Sequence, residues 1–168
     1  FTAYLARFMI AHGRREGMIT RSAPQVQRVT DADALVATYL RSRSREILDS
    51  YFAEWANWLA DIHTSHVSLP GLMYHRSSGA LSWPKAAMVV LDAAALVEAV
   101  APRWAPLHAR VLIDVGSRCL QGLAKQNGIE LPAVRVSLHG REEREFGDTI
   151  QLAVDSGLPP ERNIDQAW

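Results

Sequence analysis

Apolar residues recur along most of this chain with the spacing of one helix face. The clearest stretch runs from Ser44 to His66. Ile47, Leu48, Tyr51, Phe52, Trp55, Trp58, Leu59 and Ile62 keep to one broad stripe, and Asp49, Glu54, Asn57 and Asp61 fall on the opposite face. Pro70 removes a backbone donor, so the helix ends or kinks there, and a short turn or helix from Gly71 to His75 follows. Ser82 before Trp83 and Pro84 is an N-cap with proline in the first turn. The helix it opens runs to about Val100 and is apolar on nearly every side, which places it at the centre of the fold. Leu107 to Gln126 forms another helix, with Val111, Leu112, Val115, Cys119, Leu120 and Leu123 inward and Gly128 at its C-cap.

The two ends are less regular. Phe1 to Ala11 has helical spacing, whereas His12 to Thr30 carries Gly13, Gly17 and Pro24 and reads as a loop or linker. Asp31 and Asp33 are placed to cap a helix over Ala32 to Leu40. Leu131 to Gly140 suits an extended connector, because one isolated strand has nothing to pair with. Arg141 to Ser156 reads as the last helix, and Leu158 to Trp168 as a tail. The expected fold is therefore all-α, a single-domain helical bundle of five to six helices, divided into a basic helix and linker over 1–30, which suits a juxtamembrane position or a solvated face, and the helical bundle domain over 31–168.

A chain of 168 residues with zero net charge can bury a real core and favours no class of partner by bulk electrostatics. A dedicated nucleic-acid binder would show a basic surplus, so no nucleic acid is expected as a partner. The lone Cys119 lies in an apolar stripe and reads as a core thiol. Charge is uneven, however. Up to Thr30 there are five arginines against one acid, Glu16. Arg7, Arg14, Arg15 and Arg21 suit contact with an anionic leaflet, or else form a solvated helix face. No apolar run is long enough to span a bilayer, and the opening lacks the order of a secretory signal. Phe1 and Trp168 as end residues suit a piece of a longer protein.

Candidate chemistry is sparse. His63 and His66 share a helix face, but HTSH lacks the glutamate of the zinc-peptidase helix and a third ligand, so neither metal nor cofactor is expected. Arg76, Ser77 and Ser78 precede the start of the Ser82 helix, where free N–H groups favour an anion. Asp92 is the oddest residue, a carboxylate flanked by Met88 to Leu91 and Ala93 to Leu96. Burial there costs several kcal/mol, roughly, unless the charge is paired, and Arg76 is the partner expected in a structural ion pair. A pocket shared by Asp92, Arg76, His63 and His66, with Ser77, Ser78 and Trp83, is the alternative.

Several short motifs cluster between Trp55 and Leu96. They are Trp55 and Trp58, Ser65-His66-Val67-Ser68-Leu69-Pro70, Tyr74-His75-Arg76-Ser77, Ser82-Trp83, and Leu91-Asp92-Ala93-Ala94-Ala95-Leu96. This block resembles the cytoplasmic C-terminal region of bacterial potassium channel family proteins with a two-helix pore. The chain itself has no filter sequence of the Thr-Val-Gly type. The resemblance therefore implies a regulatory or assembly domain, non-enzymatic, at the cytoplasmic face of the cell membrane. Its expected partners are its own membrane pore segment or a second copy. The rival expectation is a small ligand-binding domain or enzyme built on the Asp92 pocket.

Overall fold

The computed structural model describes residues 2–26, 31–41, 44–75, 82–130 and 140–168. Within them the chain forms α1 (Thr2–Val26), α2 (Ala32–Arg41), α3 (Arg45–Ser68), a 3₁₀ turn (Pro70–Tyr74), α4 (Trp83–Val100), α5 (Leu107–Gln126), α6 (Arg141–Asp155) and α7 (Ile164–Ala167). No strand occurs among the described residues, and the architecture is the all-α bundle that the periodicity requires. The connector expected over Leu131 to Gly140 lies, but for its last residue, outside the described residues.

The core is built on α3, which packs most extensively on α5. Leu48, Phe52, Trp55 and Leu59 of α3 are fully buried, and each such side chain contributes about 1.5–3 kcal/mol in apolar transfer. The inner stripe of α5 is Ala109, Leu112, Gly116, Cys119 and Leu123, spaced alternately by three and four residues. Gly116 has a packing reason. A Cβ there would overlap the Leu91 side chain and lie 3.2 Å from Leu59 Cδ1, so a bare backbone lets α3, α4 and α5 meet. Val111, expected on this stripe, is exposed instead.

Helix ends find their caps locally and at a distance. Ser44 Oγ accepts the Ile47 N–H at 3.2 Å and starts α3. Ser82 stands at the N-cap of α4, but its side chain makes no capping bond. At the far end of α4, the Val100 carbonyl accepts the N–H groups of Glu161 and Arg162 at 3.2 and 3.1 Å. Glu161 Oε2 returns a bond to the Arg103 N–H at 2.7 Å, so the expected tail is a structural clasp.

Two further expectations differ from the structure. The segment His12 to Thr30 is not a loop: α1 continues through Gly13, Gly17 and Pro24 to Val26, and Met18 and Ile19 are buried in the body. Burial of one face outweighs the poor propensity of its glycines. Asp92 is not buried. Lys85, Met88, Asp92 and Ala95 form an exposed stripe on α4, and the opposite face carries Ala86, Val90, Ala93, Ala94 and Val97. Alanine and methionine, neutral to burial, disguise that outer stripe in the sequence.

Candidate functional site

The motif residues assemble where α1 crosses the end of α3. Arg15 of α1 is 1% exposed. Its Nη1 donates to the Leu72 carbonyl and its Nη2 to the His75 carbonyl, both at 2.9 Å, and its Nε donates to Glu16 at 3.1 Å. The fork thus satisfies carbonyls of the 3₁₀ turn that Pro70 enforces, which is the bidentate geometry only arginine supplies. Around it the His75 ring meets Phe8 and His12 edge-on, with centroids 5.6 and 4.5 Å away.

Beneath this junction lie His66, Trp58 and Trp83. His66 is fully buried, and its Nδ1 is 2.9 Å from the Ile62 carbonyl, which makes Nδ1 the protonated nitrogen. Burial holds His66 below the usual histidine range, the Ile62 bond opposes that, and the Arg15 charge adds to the lowering. Trp83 packs between His66 and Trp58, 5.4 and 6.2 Å from them. His63 points elsewhere. Its Nε2 would lie 2.7 Å from a Cβ on Gly122, so it packs against α5. His63 and His66 therefore do not share a ligand site. Among the described residues no three His, Cys, Asp or Glu side chains gather for a metal ion. Burial pushes the Cys119 thiol up to about 11, which keeps it protonated.

Asp92 belongs to a different place. It lines an open hollow of about 290 Å³ formed by α4, the start of α2, α6 and the end of the chain. Phe146 and Trp168 stand edge to face there with centroids 5.1 Å apart. Desolvation by these apolar walls raises the Asp92 carboxyl above its ordinary range. Neither His63 nor His66 reaches this hollow, so the single pocket expected from sequence does not form from them. Arg76, Ser77 and Ser78, and with them the expected Arg76–Asp92 pair, lie outside the described residues. Neither ring carries a site signal in the sequence: Phe146 lies on the apolar face of the last long helix, and Trp168 falls in the stretch that reads as a tail.

A larger cleft of about 550 Å³ lies between the end of α2, the start of α3 and the end of α6, with Arg41, Arg45, Trp104 and Asp155 in its walls. Arg45 spends two donors on the Trp104 and Ala105 carbonyls at 2.7 and 3.0 Å, so part of that cleft is occupied with holding the loop before α5.

The fold and these sites define a helical-bundle domain with a buried arginine clasp and an acidic, aromatic-walled hollow. No family model, curated protein or solved structure matches the chain. No helix among the described residues is long and apolar enough to cross a membrane.

Proposed function

We propose that this chain is a non-enzymatic regulatory or assembly domain of a channel-like membrane protein, held at the cytoplasmic face with α1 as its link to the membrane part. The observation that supports it most is the division of α1 into two halves. The second half is locked to the body by the buried Arg15 fork. The first half leaves Tyr4, Leu5, Met9 and Ile10 about half exposed beside the exposed cations Arg7 and Arg14. A helix of that kind transmits a pull or a rotation to the bundle, because its attachment is a rigid fork and not a flexible tether. The apolar and basic mixture on its free half suits a membrane interface. Arg15 takes no part in lipid contact, since its guanidinium is spent inside, and Arg21 pairs with Glu54 at 3.3 Å. The motif block from Trp55 to Leu96 supports the same reading through its resemblance to channel-associated domains.

The test is the gene product in full, with fractionation. Two apolar spans of about 20 residues flanking a filter-like loop ahead of Phe1, and recovery in the membrane fraction, are expected. A start codon immediately before Phe1, with recovery of the product away from membranes, overturns the reading.

A further inference from the structure

We propose that the hollow between α4, α6 and the end of the chain binds a small organic ammonium ion, with Asp92 as its counter-charge and the Phe146–Trp168 pair as its aromatic wall. The site is independent of the membrane reading above.

Three features of the hollow converge on that chemistry. The first is the carboxylate. Asp92 makes no hydrogen bond or ion pair with any described residue, yet it faces walls that are otherwise almost wholly apolar. A carboxylate so placed has lost part of its hydration without gaining a partner, and a bound cation restores the balance. The second is the aromatic pair. Edge-to-face packing at 5.1 Å fixes both rings, and Trp168 is half exposed toward the site. An ammonium group over an indole face is attracted by the ring quadrupole, most strongly where water is partly excluded. The third is shape. At about 290 Å³ the hollow stands at the lower edge of the ~300–1,000 Å³ typical of ligand pockets, so it takes one small molecule. Ala95 and Ala99 on the α4 side leave room for an alkyl or aryl body, and the Thr149 hydroxyl offers a neutral acceptor for an ammonium N–H. A phosphate or carboxylate ligand is disfavoured by the same Asp92.

The experiment uses the whole chain and two probes, phenethylamine and benzyltrimethylammonium, with phenethyl alcohol as the neutral control. Binding is read by calorimetry and by chemical-shift changes at the Trp168 indole. Saturable one-to-one binding of both cations is expected, at least tenfold tighter than the alcohol. Asp92→Asn is expected to remove that tenfold preference while keeping the native melting cooperativity, and Trp168→Ala to weaken both cations. Because Asp92 is exposed, Asp92→Asn folds. Equal binding of amine and alcohol, or unchanged amine affinity in Asp92→Asn, overturns the proposal. It is also overturned if amine preference emerges only after Arg76→Met, because Asp92 is then neutralised by its own chain. Binding confined to a lysine-bearing peptide, with free amines inert, assigns the hollow to a protein partner and overturns the small-ligand assignment.

Discussion

Asp49 on α3 caps α5 through His108. Its Oδ1 accepts the His108 backbone N–H at 2.9 Å and its Oδ2 lies 2.9 Å from the ring Nδ1. Pro106, which occupies the N-cap position of α5, has no side-chain acceptor to offer, so the cap comes from a helix 59 residues away in sequence. One carboxylate thereby closes a helix end and pins the two most extensively packed helices to each other.

Asp49→Ala is expected to cost about 0.5–2 kcal/mol, the range of lost N-caps, in denaturant unfolding. Burial alone would raise the Asp49 carboxyl. The His108 backbone and ring bonds and the His108 and Arg45 charges outweigh it and hold the group below the ordinary carboxylate range. A depressed acid stabilises the folded state fully above its unfolded pKa of about 3.9 and loses that contribution as pH falls through the folded value. The difference between wild type and Asp49→Ala should therefore shrink in that acidic window, and a constant difference down to full protonation contradicts the cap.

Arg15→Met should destabilise the chain by about 3 kcal/mol, because it strands the Leu72 and His75 carbonyls and removes bonds from a charged donor. Arg15→Lys should recover little of this, since an ammonium cannot fork to both oxygens. Urea midpoints of the three proteins decide it. Equal stability of the lysine variant and wild type would show that charge alone, and not the fork, holds α1.

Histidine protonation should weaken the fold on mild acidification. His66 lies below the usual range through burial and the Arg15 charge, with the Ile62 bond opposing. His12 is lowered as well, by burial, Arg15 and His75, against Glu16. A lowered folded pKa means that the unfolded state takes up protons first. Stability is therefore full above about pH 6.5 and falls as pH drops toward the lower folded values. Thermal melts from pH 7.5 to 5 should show this decline, and His66→Asn, which retains an N–H for the Ile62 carbonyl, should reduce its slope. Identical slopes would remove His66 from the account.

Gly13→Ala should stabilise the chain by about 0.5–1 kcal/mol. Gly13 is exposed inside α1, and nothing lies within 4 Å of where its Cβ would stand. A loss of stability in melting experiments would mean that the α1 backbone there is not helical in solution.

The helices with clear end signals were legible in sequence: α3 and α5 by their apolar stripes and α4 by Ser82 and Pro84 at its start, each beginning and ending within a residue or two of the expected positions. The second half of α1 was not, because Gly13, Gly17 and Pro24 carry the local signature of a linker. What keeps that stretch helical is the burial of Met18 and Ile19 and the seating of Arg15 on carbonyls 57 and 60 residues away. No local pattern marks an arginine for burial. His66 was visible as part of a motif and Trp83 as a helix start, yet their stacking depends on how α3 and α4 cross. Asp92 stood out correctly as unusual but was given the wrong environment, since alanines on both sides leave the direction of a helix face undetermined.

The clasp at the end of α4 has a consequence for synthesis. The Val100 carbonyl waits for the N–H groups of Glu161 and Arg162, which leave the ribosome some 60 residues later. The nascent chain can assemble α3, α4 and α5 early, while the α4 terminus remains open and Phe146 and Trp168 have yet to emerge. The hollow that Asp92 lines is thus completed only once α6 and Trp168 have followed α4. A ribosome stalled before α6 would present a packed core whose acidic hollow has its α2 and α4 sides but lacks the aromatic wall of Phe146 and Trp168.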